Sequence, residues 1–342
     1  MTGLCDDSYD VPMGKISLKD IAGKSGVSIS TVSRVINDPE QVQLQTRDAV
    51  YQAMRDLGYK PSLKTDLTKK GSGAIAMISS YKDSEFFMDF TMALQDELSR
   101  HKLYPLLIDT RGNNSLSDFI AGNNDWVNLV DGAIVFYCEI DLAARDFFHT
   151  RNLPVVTVHN RCPYFFSVMN NDYLGGYDTA DYLWGKGYRK FGMVYWNTLK
   201  DEKSRDRKIG FCKFLEEKNM PLNEEEQLVL GDMTMEGGAR ATEQLLFRYK
   251  ADVIFYACDT MAIGGMEYCR EKHIRIPEDL GIMGFDDIRM AEAMNLTTMK
   301  QFIPAKARSV SNHITDAIKG VVPSEFPEEV TFTPVVVERK TT

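Results

Sequence analysis

The segment 17–37 contains two short amphipathic patterns, one on each side of Gly26. In each pattern apolar residues recur at spacings of three and four, which predicts a helix with one buried face. Gly26 suits an open turn between the two helices, because glycine tolerates a positive φ. Ser17 and Ser28 precede the two patterns, where a hydroxyl can cap a helix. The predicted buried residues are Leu18, Ile21 and Ala22, followed by Val32, Val35 and Ile36.

The second predicted helix leaves a short, hydroxyl-rich face outside its apolar stripe. Small polar side chains allow a helix to approach the floor of a DNA major groove, and Arg34 can offer a guanidinium fork to a guanine edge. An ordinary surface helical hairpin would have the same outline. The exposed or edge positions are Ile29, Ser30, Thr31, Ser33 and Arg34.

A third helical pattern follows, and then the chain changes character. The third helix has Val50, Ala53, Met54 and Leu57 as its buried stripe and ends at Gly58. We predict a disordered tail over residues 1–14, a helix-turn-helix domain over 15–60 and a polar hinge over 61–72.

From Gly73 onward, apolar runs of strand length alternate with helical patterns. This alternation predicts parallel sheets covered by helices on both faces, and about 270 residues of it favour two lobes. The helix starts lack a GxGxxG phosphate loop, which argues against a simple dinucleotide enzyme. The strand-like runs are GAIAMISS, YPLLID, DGAIVFY, PVVTV, KFGMVYW, ADVIFYA and LGIMGF.

The string SLKDIAGKSGVSISTVSRVIN at 17–37, continued by TRDAVYQAMRDLGYKPS at 46–62, resembles the N-terminal domain of LacI/GalR-family transcription regulators. The resemblance implies that the second helix reads an operator through Ile29, Ser30 and Arg34. Ser28, Thr31, Ser33 and Asn37 would contact phosphates. It also implies a hinge leucine that enters the minor groove. Here Leu67 stands one position early, so either the register shifts to use Leu67 or the hinge works differently.

The body carries further stretches similar to the same family, among them VMNNDYLGG, DTMAIGGMEY, HIRIPEDLGIMGFDD and LTTMKQ. The implied fold consists of two doubly wound parallel-sheet lobes of the periplasmic-binding-protein type, with an effector cleft at the carboxyl ends of the strands. The effector-binding domain would span 73–342. Lobe one would hold about 73–187 plus 301–322, and lobe two about 188–300 plus 323–342.

Candidate effector ligands lie just after strands or at helix starts. Asp286 matches a family position whose carboxylate accepts hydrogen bonds from the effector. Arg205 and Arg207 match two places that hold a ligand-binding arginine, and the sequence does not choose between them. Asn171 and Asp172 occupy the place of a family Asp-Asn pair in reversed order, which leaves open which of the two faces the ligand. Aromatic residues that could stack on a ligand are Tyr81, Phe86 and Trp196.

Charge and composition agree with a DNA-binding head on an acidic body. The chain has a net charge of -9, but residues 15–70 carry +4. The six cysteines form no CxxC pair, so we expect reduced thiols and no metal site. The start resembles no signal peptide, and no apolar run has membrane-spanning length. We therefore expect a cytoplasmic protein without a membrane partner.

Enzyme motifs are absent from the sequence: the five histidines are dispersed, without HExxH or a nucleophile elbow. We predict a homodimeric transcription regulator without catalytic residues or cofactors, most simply a repressor. Its partners would be a pseudopalindromic double-stranded DNA operator and a small-molecule effector, sugar-like or a related metabolite, that is bound between the lobes. The alternative is a solute-binding protein that captures a small molecule without acting on DNA.

Overall fold

The fold is described from a computed structural model that covers residues 16–37, 41–59, 71–80, 85–110, 115–196, 202–323 and 327–342. The chain divides into two compact units, Met1–Leu67 and Thr68–Thr342, which we call the head and the body. The predicted tail 1–14 and most of the predicted hinge 61–72, including Leu67, lie outside the described residues.

The head contains three helices, as the apolar spacing predicts. They are α1 (Leu18–Ser25), α2 (Ile29–Asn37) and α3 (Leu44–Leu57). Ser17 and Asp20 form the predicted capping box, in which the Ser17 backbone N–H donates to Asp20 Oδ2 at 2.8 Å. Gly26, at φ 71°, ends α1 in the left-handed conformation that the turn requires. The buried core is formed by Ile21, Ala22, Val32, Val35, Val50, Ala53 and Met54.

The first body sheet has six parallel strands in the order β11-β5-β4-β3-β1-β2. Four of these strands come from predicted apolar runs, while β5 and β11 were not predicted. The strands are β1 (Ala74–Ser79), β2 (Tyr104–Asp109), β3 (Gly132–Phe136), β4 (Val155–Val158), β5 (Phe166–Asn170) and β11 (Glu329–Phe332).

The second body sheet has four parallel strands in the order β7-β6-β8-β9, and β10 pairs with β12 in a separate antiparallel ribbon. Three of the four sheet strands were predicted, and β7 was not. The strands are β6 (Phe191–Tyr195), β7 (Leu228–Leu230), β8 (Val253–Tyr256), β9 (Gly281–Met283), β10 (Thr298–Lys300) and β12 (Val335–Val337).

Helices connect the strands of both sheets, which confirms the predicted class of a small helical head followed by a two-lobed α/β body. A short 3-10 helix also spans Asp125–Leu129. None of the helices in the described ranges combines the length and the apolarity that crossing a bilayer requires. The body helices are α4 (Glu85–Ser99), α5 (Leu116–Gly122), α6 (Leu142–Thr150), α7 (Asp172–Gly185), α8 (Glu202–Glu217), α9 (Glu224–Gln227), α10 (Met235–Arg248), α11 (Asp259–Glu271), α12 (Arg289–Ala293) and α13 (Ile303–Ile318).

The division of the body differs at two places from the predicted lobe boundaries. We placed all of 323–342 in lobe two, but β11 pairs in parallel with β5 and therefore belongs to the first sheet. We placed residues up to 187 in lobe one, but α7 packs along α8, beside the second sheet. Just one residue separates β5 from α7 and two separate β11 from β12, and connections this short give no signal of a lobe boundary in the sequence.

Candidate functional site

The α2 helix of the head separates a buried face from an exposed one. Val32 and Val35 are fully buried against α1 and α3, so the opposite side of α2 faces outward. Ile29 is 48% exposed, and Ser30 and Arg34 are exposed as well. The arrangement presents a cation and small side chains on one protruding helical face, a shape that fits a DNA major groove.

Ser28 caps α2, as its position predicts. Its hydroxyl oxygen accepts a hydrogen bond from the backbone N–H of Thr31 at 3.1 Å and pairs with the hydroxyl of Ser30 at 2.8 Å. Thr31 and Ser33 are half-buried at the edge of the exposed face. Asn37 ends the helix, and its side chain, like Leu67, lies outside the described residues. Their predicted contacts with phosphates and the minor groove stay predictions.

In the body, Arg207 forms the centre of a buried polar cluster between the lobes. Its guanidinium is 3% exposed and lies between two carboxylates, with Nε 2.8 Å from Asp172 Oδ1 and Nη1 3.4 Å from Asp286 Oδ1. Nη1 also donates to the carbonyl oxygen of Ala257 at 2.5 Å. Burial acts to lower the pKa of Arg207, but the two carboxylates outweigh it and the pKa is raised. The arginine is thus permanently charged and fixed in place.

Close helix packing brings Arg207 to Asp172. Asp172 is the first residue of α7, and Arg207 lies on α8, which runs beside it. A β-carbon at Gly176 would lie 2.0 Å from the carbonyl oxygen of Arg207, and one at Gly210 would lie 1.9 Å from that of Tyr173. Only glycine at these positions permits such an approach, so two glycines set the distance between the charged groups.

Asp286 enters the cluster from the end of β9. Its backbone has φ 132°, a conformation that non-glycine residues rarely adopt, and its N–H donates to the carbonyl oxygen of Met299 at 2.8 Å. Burial raises the pKa of the Asp286 carboxyl, while the charge of Arg207 partly offsets that rise. The strained backbone therefore holds a buried carboxylate against the guanidinium.

Aromatic rings flank both sides of the cluster. The Arg207 guanidinium lies 3.7 Å from the centre of the Phe285 ring and 5.7 Å from that of Trp196. On the lobe-one side, the Phe86 ring stands edge-on to His159 with centroids 5.1 Å apart. The predicted residues Phe86, Asp172, Trp196, Arg207 and Asp286 thus converge on one region.

Two other predicted ligands point elsewhere. Arg205 is 59% exposed and approaches Asp206 at 3.6 Å, so of the two candidate arginines only Arg207 enters the cleft. The Asn171 side chain caps α7 by accepting from the N–H of Leu174 at 3.0 Å. In the reversed pair it is therefore Asp172 that faces the cleft. Tyr81 lies outside the described residues.

The structure adds polar residues that the sequence reasoning missed. Gln301 donates from Nε2 to Asp286 Oδ1 and accepts from Asn170 Nδ2, and Lys306 Nζ lies 3.1 Å from Gln301 Oε1. Lys306 Nζ also lies 3.4 Å from His159 Nε2. Asn170 ends β5 and Gln301 follows β10, the kind of position used to choose the other candidates. Because β5 and β10 were not predicted as strands, the positions of Asn170 and Gln301 at strand ends could not be used to select them.

A second contact joins the lobes at the rim of the cleft. Asp89 on α4 accepts two hydrogen bonds from Arg289 at the start of α12, one from its backbone N–H at 3.0 Å and one from Nε at 2.8 Å. We call this pair the rim clasp. Across the described ranges, no group of three or more His, Cys, Asp or Glu side chains is placed to hold a metal ion.

Comparison with known proteins gives a family match in each of the two units. Residues 17–62 match the family model "Bacterial regulatory proteins, lacI family", and residues 180–342 match "Periplasmic binding protein-like domain". The chain is 29% identical over 338 residues to the HTH-type transcriptional repressor PurR of Shigella sonnei, covering 95% of this chain and 96% of that protein.

Solved structures share the fold over nearly the whole chain. A LacI-family transcriptional regulator from Silicibacter pomeroyi superposes with a TM-score of 0.75 at 24% identity, covering 96% of this chain and 99% of that one. The lac repressor dimer bound to operator and the anti-inducer ONPF gives a TM-score of 0.72 at 23% identity, covering 95% and 98%.

Proposed function

Because the chain belongs to the LacI family of DNA-binding transcription regulators, we propose that it is a repressor whose operator affinity is set by a small molecule bound in the body. The observation that carries this proposal is the α2 helix, whose buried valines leave Ile29, Ser30 and Arg34 on one protruding face. We also propose that it acts in the cytoplasm, where bacterial DNA lies. Its relative is a repressor rather than an enzyme, and we propose no catalytic step.

Arg34 carries most of the direct base readout in this proposal. Its guanidinium can donate two hydrogen bonds to a guanine edge, whereas Ile29 can only contact a thymine methyl group. The hydroxyls beside them, on Ser28, Thr31 and Ser33, and the amide of Asn37 would position the helix on phosphates. Leu67 is retained as the candidate wedge of the hinge. Contacts with phosphates fix the orientation of the head on DNA but do not distinguish one base sequence from another.

The effector binds between the two lobes. Polar groups from both lobes meet there, since Asn170 ends a strand of the first sheet while Asp286 follows a strand of the second. A ligand that touches both sides changes the angle between the lobes, and this angle is the element that couples the cleft to the operator. We place Phe86, Asp172, Trp196, Arg207 and Asp286 around the effector, and we retain Tyr81 as a candidate.

A homodimer supplies the second head that a pseudopalindromic operator requires. The edge strand β2 supports this assembly, because it exposes a row of large apolar side chains that would be costly to leave in water. Tyr104 is 58% exposed and Leu107 is 53% exposed. Met88 and Met92 on the neighbouring α4 are also about half exposed. A second copy of the chain would cover them.

The operator experiment tests the assignment directly. The full-length protein should select a pseudopalindromic site from a pool of randomised duplex DNA, and Arg34→Ala should weaken binding to that site by about 1–3 kcal/mol in gel-shift titrations. Arg55→Ala is the matched control, because it removes the same charge from α3, where Arg55 bonds Gln52. Loss of operator affinity in both variants to the same degree would mean that Arg34 contributes charge alone and reads no base.

A further inference from the structure

A polar group on the lobe-one side of the cleft, Asn170, has not yet been assigned a contact with the effector. Asn170, at the end of β5, is 7% exposed and contacts Gln301, which links it to Asp286 and Lys306. The sequence does not mark Asn170, and the cluster around Arg207 does not need it. The orientation of the Asn170 amide indicates which kind of hydrogen-bonding group it would bind.

The surroundings of Gln301 fix the orientation of both amides. Asp286 presents a carboxylate, which accepts hydrogen bonds, so the Gln301 amide turns Nε2 towards it. Lys306 presents an ammonium, which donates, so Gln301 turns Oε1 towards Nζ. That same Oε1 faces Asn170, and Asn170 must therefore present Nδ2 to it. Flipping either amide would bring like groups together.

This orientation leaves Asn170 Oδ1 as an acceptor without a donor. The atom is buried, and the part of the chain that the structure describes offers it no hydrogen-bond partner. Buried acceptors are almost always satisfied in folded proteins, because leaving one unpaired costs free energy. In a ligand cleft, the missing donor is most simply supplied by the ligand.

We propose that the effector donates a hydrogen bond from an uncharged N–H or O–H group to Asn170 Oδ1. This inference rests on the proposed function and names the chemistry of its effector. Lys306 Nζ and Asn170 Nδ2 both contact Gln301 Oε1, so the lysine charge lies within a few ångströms of the binding atom and repels a cationic donor. On the other side, the carboxylates of Asp172 and Asp286 are already engaged by Arg207.

The aromatic residues near Lys306 indicate the shape of that ligand. The Lys306 ammonium lies 5.8 Å from the centre of the Phe86 ring, and His159 lies between Phe86 and Tyr137, whose ring centre is 5.9 Å away. Flat or ring-shaped molecules pack well on such surfaces. The effector should therefore be uncharged where it meets Asn170 and flat or ring-shaped where it meets the aromatic residues.

The test uses the full-length protein, its selected operator and defined probes. The neutral probes are D-glucose, D-ribose, cellobiose, adenine and guanine, and D-glucosamine is the cationic counterpart of D-glucose. Binding is measured by calorimetry, and the effect on the operator by gel shift. We expect neutral probes to bind in preference to cationic ones. Asn170→Leu should weaken their binding by about tenfold or more.

A second variant keeps the test independent of damage to the fold. Asn170→Asp places a negative charge where the neutral acceptor stood, and it should shift the preference towards D-glucosamine, a gain that misfolding cannot produce. If Asn170→Leu binds the probes as tightly as the wild type, as expected if Oδ1 binds only a water, the proposal is overturned. It is also overturned if the wild-type protein binds D-glucosamine more tightly than D-glucose. Loss of operator binding by the wild type would instead count against the proposed function.

Discussion

Arg34 in the head and Arg207 in the body carry the same guanidinium group in opposite settings. Arg34 lies on the exposed face of α2 and is available to a partner. Arg207 is 3% exposed, and its hydrogen bonds go to Asp172, Asp286 and the carbonyl oxygen of Ala257. We propose that the first arginine binds DNA, whereas the second holds together the polar cluster of the cleft.

The two regions also differ in how their groups are assembled. Most residues proposed to contact DNA come from one stretch of nine residues, α2, so the helical period decides which of these are exposed. The cleft joins Asn170 to Gln301, which are 131 residues apart, and Arg207 to Asp286, which are 79 apart. We therefore expect a substitution on the exposed face of α2 to change binding without changing stability. A substitution in the cleft should change both.

Removal of the buried arginine should have the largest effect. Arg207→Met leaves two buried carboxylates without their cation, and breaking such a pair costs about 3–5 kcal/mol of unfolding free energy. Urea titration followed by tryptophan fluorescence isolates this effect, because the three tryptophans, Trp126, Trp184 and Trp196, all lie in the body. The exposed Arg205→Met is the control and should change stability by less than about 0.5 kcal/mol.

Arg34→Ala should have the opposite effect to Arg207→Met, because it changes binding and not stability. It should leave the fluorescence transition of the body in place while operator affinity falls. A body transition that Arg207→Met does not move would contradict the assignment of that arginine as the centre of the cleft.

The helix packing beneath Arg207 gives a smaller effect. Gly176→Ala forces a methyl group against the carbonyl oxygen of Arg207 and should destabilise the body by about 1–3 kcal/mol through overpacking. Gly185→Ala lies on the same helix with no atom within 4 Å of its new β-carbon, and it should be neutral or stabilising by up to about 1 kcal/mol. Equal effects of the two alanines would show that the α7–α8 distance does not constrain the charged cluster.

Sequence patterns predicted the parts of the fold that depend on local order. The three head helices and seven strands were predicted because apolar residues recur at helical spacing in the first and form continuous runs in the second. The strands β5, β7, β10, β11 and β12 have three to five residues each. Of these, β11 exposes most of its side chains, so its pairing with β5 is decided by a partner more than 150 residues away in the chain.

The candidate site residues were also chosen from local sequence, which could not decide between neighbouring positions. The resemblance to relatives marked Asp286, but it left open the choice between Asn171 and Asp172 and the choice between Arg205 and Arg207. Two residues two positions apart on a helix point about 200° away from each other, so only the packing of α8 decides which one enters the cleft. Lys306 was not predicted at all, because a lysine in a helical pattern is expected at the surface. Here its side chain is fully buried.

The rim clasp should give the smallest change in stability, but it tests whether the body acts as a two-state element. Asp89→Asn weakens both hydrogen bonds from Arg289, and because the Arg289 side chain is 63% exposed, the loss should be only about 0.2–1 kcal/mol. The clasp exists in the arrangement in which groups of both lobes meet at Gln301. Its loss therefore disfavours that closed arrangement, and the effector concentration for a half-maximal change in operator affinity should rise by up to about fivefold.

The control for the rim clasp is Asp279→Asn, which breaks a pair with Arg275 inside lobe two at 2.6 Å and should leave the effector response unchanged. Arg289→Gln should reproduce the shift of Asp89→Asn, and the double variant should add nothing further, because both substitutions remove one interaction. An effector response that none of these variants moves would mean that closure of the lobes does not limit effector binding, and that the cleft signals to the head by another element of the body.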